Sequence, residues 1–139
     1  MRRVFADTAY WIALLNRRDR LHARAVECCA DFNSGVIVST EMVLTEVLNH
    51  FSLGPSEFRQ AAVALVGRLD ASPSHEIIPM TSGQFRNALD LYRQRPDKQW
   101  SLTDCASILI MQEKGIGEAL TYDNHFVQAG FAALLRNVP

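Results

Sequence analysis

The chain has 139 residues, of which 48% are hydrophobic and 21% charged, and its formal net charge is −1. These values are typical of a globular protein with a buried core, so we expect residues 1–139 to form a single domain. No apolar run approaches the roughly 18 residues of a membrane-spanning helix, and Asp7 interrupts any signal-peptide core. We therefore expect a soluble, cytoplasmic protein without membrane contacts.

Short apolar, β-branched segments alternate along the chain with longer segments of helical periodicity. The first half predicts strands at 3–6 and 36–39, and helices at about 8–16, 20–32 and 40–51, the last capped by Thr40. The second half predicts strands at 76–79, 118–122 and 132–136 and helices at 57–70, 81–95, 101–114 and 123–128. The helices at 81–95 and 101–114 begin with capping patterns.

The predicted strands lack the polar alternation of a half-exposed antiparallel sheet, which favours a parallel sheet between helical layers. We therefore predict an α/β fold of three layers, α/β/α, with a central, mostly parallel sheet of four or five strands. Ligand sites of such sheets lie at the carboxyl ends of the strands. The chemistry of this chain should be sought at that edge.

Four acidic residues are predicted to meet at the carboxyl edge. Asp7 directly follows the first strand and Asp123 the fourth. The apolar helix that begins near Asp104 is long enough, at about 1.5 Å per residue, to return to the same edge. Glu46 lies at the border of the buried face of the helix after the second strand.

Each of these acids also has an ordinary structural interpretation. An aspartate at a helix start is commonly a cap or complements the helix dipole, and Glu46 alone would be a surface residue. Together, however, the carboxylates would repel one another unless they shared a cation, and oxygen ligands favour Mg²⁺ or Mn²⁺ over zinc. The histidines show no metal-ligand spacing, and we expect His125, the one near an acid, to pack or to contact a phosphate.

The segments FADTAYWIALL, TEVLN, DKQWSLTDCASILIM and ALTYDNHFVQAGF resemble PIN domains, and specifically the VapC-type toxin ribonucleases of bacterial toxin–antitoxin pairs. The resemblance spans residues 5–131. It implies that the catalytic and metal-binding quartet is Asp7, Glu46, Asp104 and Asp123, with Asp7 and Asp104 as direct ligands. It also implies that the hydroxyl of Thr8 supports the metal shell.

The activity implied by the resemblance is Mg²⁺- or Mn²⁺-dependent endonucleolytic cleavage of RNA by metal-activated water. A homodimer and a cognate antitoxin protein are implied as well, with DNA contacted only indirectly through an antitoxin complex. Tyr10 and Trp100 could stack on bases, although we expect both to serve core or dimer packing. Our weaker candidates for RNA contacts are Arg17, Arg18, Arg20 and Lys98.

A basic segment leaves two interpretations open, whereas the cysteines have one. The segment RRDRLHAR is interpreted first as the solvated start of a helix, and alternatively as a basic rim that attracts phosphates. The cysteines, Cys28, Cys29 and Cys105, have no metal-type or disulfide-type spacing, so we expect buried or partly buried thiols.

A receiver-like signalling domain and a PIN scaffold without cleavage are the alternatives to the nuclease. A receiver-like signalling domain would need paired acids after the first strand, and Asp7 has no acidic neighbour. The stronger alternative is a PIN scaffold that binds RNA or protein with little cleavage. The intact acidic quartet argues against it.

Overall fold

A computed structural model describes residues 1–136 of the chain. One sheet contains five parallel strands in the order β3-β2-β1-β4-β5, namely β1 (Arg3–Ala6), β2 (Val36–Thr40), β3 (His75–Ile78), β4 (Glu118–Leu120) and β5 (Ala132–Ala133). The helices within 1–136 are α1 (Thr8–Leu15), α2 (His22–Asp31), α3 (Glu41–His50), α4 (Ser56–Ala71), α5 (Ser82–Gln94), α6 (Leu102–Lys114) and α7 (Asn124–Gln128).

The direction of the chain through the sheet reverses at the central strand β1. The chain first moves outward through β2 and β3, and then crosses to β4 and β5 on the other side of β1. Helices α1 to α4 pack on one another, whereas α6 packs chiefly against α5 and makes smaller contacts with α3 and α7. Because right-handed crossovers in opposite directions place their helices on opposite faces, the three-layer α/β/α prediction is confirmed, and the topological switch point lies between β1 and β4.

Helix α6 is buried on most of its surface and is defined at both ends. At its start, Ser101 and Asp104 form a reciprocal capping box: the Ser101 hydroxyl accepts from the Asp104 N–H, and the Asp104 carboxylate accepts from the Ser101 N–H, both at 3.0 Å. At its end, Gly115 adopts the left-handed conformation with φ 67°, which costs glycine little. The capping prediction is therefore confirmed, and α6 holds Asp104 in a fixed position.

Three predicted boundaries are wrong by two or more residues, and one predicted burial is wrong. One of these boundaries is the end of β4, at Leu120 rather than at residue 122. Helix α2 begins at His22 rather than near residue 20, because the side chains of Asn16 and Asp19 accept backbone N–H bonds and stabilise a turn instead. The last strand ends at Ala133, because the Arg136 N–H donates to the Ala133 carbonyl at 3.1 Å and closes a turn. Cys29 is exposed, whereas Cys28 and Cys105 are buried as expected.

The two aromatic side chains of uncertain role are both packed inside the protein. Tyr10 is 1% exposed and Trp100 is 7% exposed, so neither is free to stack on a base in this conformation, and the packing interpretation is confirmed. Among residues 1–136, no helix is both long and apolar enough to cross a membrane.

Candidate active site

Two of the four acids follow the carboxyl ends of the neighbouring strands β1 and β4. Asp7 is the N-cap residue of α1 and Asp123 the N-cap residue of α7. Thr121, which is fully buried, joins them: its hydroxyl donates to Asp7 Oδ2 at 2.9 Å and accepts from the Asp123 N–H at 3.0 Å. Thr121 therefore connects the Asp7 carboxylate to the backbone of Asp123 at the switch point.

His125 connects the third acid, Asp104, to Asp123. Its Nδ1 lies 2.8 Å from Asp104 Oδ2 and 3.2 Å from Asp123 Oδ1. The ligand atoms of these three residues all lie within 4.8 Å of one another, as the donors of one metal ion would. Asp123 Oδ1 also accepts a hydrogen bond from the backbone N–H of His125 at 2.9 Å, which fixes the first turn of α7.

Glu46 reaches the same region from α3. It is half-buried, as its position on the helix predicts, and the Thr8 hydroxyl donates to its Oε1 at 2.5 Å. Thr8 follows Asp7 directly, so this bond connects the start of α1 to the fourth acid. The hydroxyl predicted to support the metal shell thus contacts one of the acids.

The electrostatic state of Asp7 shows how close its neighbours are. The pKa of Asp7 is raised from its ordinary 3.8 to about 7; burial is the largest cause, and the Asp104 and Glu46 carboxylates contribute to the rise. The Thr8 backbone N–H and the Thr121 hydroxyl lower it, but by less than the combined increase. A carboxylate that is only 5% exposed and faces two like charges is unfavourable unless a proton or a cation compensates it.

All four predicted acids therefore lie at the carboxyl edge of the sheet, but not as one compact cluster. Asp104, Asp123 and His125 form the tight group. Asp7 adjoins this group through Asp104, and Glu46 lies near Asp7 and Thr8. Sequence reasoning missed Thr121 altogether and did not expect His125 between two acids. The one available signal for His125 was its position two residues after Asp123.

Basic side chains border the site on the side of Tyr122, the residue before Asp123. The Arg20 and Arg136 guanidinium groups lie 4.6 and 4.9 Å from the Tyr122 ring centroid, and Arg136 also donates to the Tyr122 carbonyl at 2.9 Å. Of the predicted RNA-contact residues, Arg17, Arg18 and Arg20 are exposed on the turn before α2, and Lys98 is half-buried in the segment between α5 and α6. Arg136 was not predicted.

A separate cavity of about 390 Å³ opens at the opposite edge of the sheet. Residues at the amino ends of β2 and β3, including Ile37 and His75, line it together with Tyr10 and Trp11. None of the four acids contributes to its wall. The cavity is therefore distinct from the acidic site.

Comparison with known proteins identifies the family. The family model described as PIN domain matches residues 4–132. The chain belongs to the PIN domain family. This PIN domain is similar to the "23S rRNA-specific endonuclease VapC20" of Mycobacterium tuberculosis strains CDC 1551 / Oshkosh and ATCC 25618 / H37Rv, with 26% identity over 128 residues, 92% of this chain and 95% of each relative.

A solved structure supports the same relationship. The PIN domain superposes on the crystal structure of Mycobacterium tuberculosis VapC20, described as a Sarcin-Ricin loop cleaving toxin, with a TM-score of 0.82 and 26% identity. The match covers 93% of this chain and 96% of that one. The five-stranded parallel sheet and its helical layers are therefore those of a PIN-like fold.

Proposed function

We propose that this PIN domain is a Mg²⁺- or Mn²⁺-dependent endoribonuclease whose catalytic and metal-binding residues are Asp7, Glu46, Asp104 and Asp123. The observation that carries the proposal is the convergence of the buried Asp7 with Asp104 and Glu46, whose charges raise the pKa of Asp7. A divalent cation relieves such repulsion. The donor set, mostly carboxylate oxygens, fits Mg²⁺ or Mn²⁺.

Each acid has a proposed role that follows from how it is held. A divalent cation bound here supplies a Lewis acid for the scissile phosphate and favours ionisation of water. Asp7 and Asp104 are buried and restrained by hydrogen bonds from Thr121 and Ser101, so we assign them as direct ligands. Glu46 and Asp123 bind the cation directly or through water, and Thr8 orients Glu46.

For the substrate we propose RNA, and specifically a structured loop of ribosomal RNA. The similar proteins are described as specific for 23S rRNA and as cleaving the sarcin–ricin loop, and the arginines beside Tyr122 provide positive charge where a phosphate backbone would approach. We further propose that residues 1–139 form a single domain, that it is a cytoplasmic homodimer, and that it is the toxin partner of an antitoxin protein.

The decisive experiment measures cleavage of a synthetic RNA hairpin that carries the sarcin–ricin loop. Wild-type protein should cleave it with Mg²⁺ or Mn²⁺ and not in EDTA. Asp104→Asn should be inactive yet folded, because the amide oxygen can still accept the Ser101 N–H at the start of α6. Asp70→Asn, on the exposed side of α4, is the matched control and should keep full activity.

The outcome also separates the nuclease from the scaffold alternative. Equal cleavage by Asp104→Asn, or cleavage in EDTA, would refute the proposed site. RNA binding without metal-dependent cleavage would refute the nuclease and indicate a binding scaffold. Cleavage of unrelated hairpins at the same rate would refute the proposed substrate while leaving the nuclease in place.

A further inference from the structure

His125 lies where an additional metal ligand would lie. Its Nδ1 faces two carboxylate oxygens, Asp104 Oδ2 at 2.8 Å and Asp123 Oδ1 at 3.2 Å. Its side chain is 26% exposed. Its backbone N–H donates to Asp123 Oδ1, which fixes its place on α7. The next residue, Phe126, is fully buried and anchors the same turn in the core.

We propose that His125 is a nitrogen ligand of the divalent cation, and that the site consequently prefers a first-row transition cation such as Mn²⁺ to Mg²⁺. This inference rests on the proposed metal dependence and adds a ligand to the four carboxylates. It also predicts a cation preference, because imidazole nitrogen suits transition cations whereas Mg²⁺ prefers oxygen ligands.

The separations between the three donors carry the argument. Ligands of an octahedral divalent cation at about 2.1 Å from the ion lie about 3.0 Å from their nearest neighbours. The two distances from His125 Nδ1, 2.8 and 3.2 Å, lie on either side of that value. All three donor atoms lie within 4.8 Å of one another, so Asp104, Asp123 and His125 can bind one ion with little rearrangement.

The chemistry of the ring is compatible with this role. In the neutral tautomer with hydrogen on Nε2, the Nδ1 lone pair points at the same space as the two carboxylates. With the hydrogen on Nδ1 instead, the ring donates to Asp104 Oδ2, so a bound cation would take the place of that proton between the same atoms.

The test uses Mn²⁺ as the probe, since its unpaired electrons report directly bound nitrogen. Pulsed electron paramagnetic resonance of Mn²⁺ bound to the wild-type protein should show ¹⁴N coupling. The coupling should be lost in His125→Gln and kept in His50→Gln, a matched control at the exposed end of α3. Calorimetric titration should show Mn²⁺ affinity falling about tenfold or more in His125→Gln, with a much smaller change for Mg²⁺.

Each outcome bears on the inference separately from the nuclease proposal. Mn²⁺ bound to wild-type protein without ¹⁴N coupling would overturn ligation by His125 and leave the carboxylate metal site standing. Coupling that persists in His125→Gln, or equal losses of Mn²⁺ and Mg²⁺ affinity, would overturn it as well. Failure of wild-type protein to bind either ion would overturn both proposals, and this measurement does not depend on the folding of a variant.

Discussion

Replacing Asp7 by asparagine should make the metal-free protein more stable at neutral and alkaline pH. The side chain is 5% exposed, and burial together with two neighbouring carboxylates raises its pKa from 3.8 to about 7. Asparagine has nearly the same shape, still accepts the Thr121 hydroxyl, and carries no charge. The variant therefore removes the cost of a buried carboxylate while keeping the packing.

The magnitude follows from the pKa difference between the folded and unfolded states. Between pH of about 4 and about 7 the folded protein keeps a proton on Asp7 that the unfolded chain has lost, so the free energy of unfolding falls as pH rises. One pKa unit corresponds to about 1.4 kcal/mol. The raised pKa of Asp7 therefore lowers the free energy of unfolding by about 4 kcal/mol at pH 8 and has no effect below pH of about 4. Asp7→Asn does not lose this free energy of unfolding. Its stability relative to wild type should therefore increase as the pH rises from about 4 to about 7.

Urea unfolding in EDTA at a series of pH values from 4 to 8 measures the effect, with tryptophan fluorescence as the signal. Asp70→Asn, an exposed control on α4, should follow the wild-type profile. With saturating Mn²⁺ at pH 8, wild type should become more stable than Asp7→Asn, because the cation binds the wild-type site more tightly and stabilises the folded protein by mass action. A difference between Asp7→Asn and wild type that is the same at every pH would refute the reasoning.

Three further predictions concern other parts of the structure. Ser107 Oγ is buried without a hydrogen-bond partner among the described residues, so Ser107→Ala should leave the free energy of unfolding unchanged or raise it by about 1 kcal/mol; a loss of more than that in urea unfolding would show that the hydroxyl is bonded. Thr40 Oγ1 accepts the Val43 N–H at 3.1 Å, so Thr40→Ala should cost about 1 kcal/mol, whereas Thr45→Ala, exposed on the same helix, should cost less in the same thermal unfolding assay. Replacing Arg20 and Arg136 together by glutamine should raise KM for RNA with little change in kcat. The slope of log affinity against log salt concentration should fall by about one unit for each phosphate contact removed. An unchanged slope would show that RNA binds elsewhere on the protein.

The fold was predictable because the strand, turn and capping signals of single segments agree with the alternation of strands and helices along the whole chain. The strands are short, apolar and bounded by turn residues, and Thr81 and Ser101 start their helices with capping boxes that the structure contains. The errors lie where side chains form local hydrogen bonds with the backbone. Asn16 and Asp19 stabilise a turn where periodicity continues the helix pattern, and hydrophobic periodicity carries no information about that competition.

The positions of the acids were predictable for a topological reason, whereas their connections were not. Asp7 and Asp123 follow parallel strands, and that alone brings them to one edge. Strand β4, however, was predicted to continue through residue 122 and ends at Leu120. Thr121 follows this end, and its hydroxyl donates to Asp7 and accepts from the Asp123 N–H. His125, in the first turn of α7, faces Asp104 on α6. The predicted strand included Thr121 but carried no information about its side-chain bonds, and the contact between His125 and Asp104 joins two helices, which no local signal specifies.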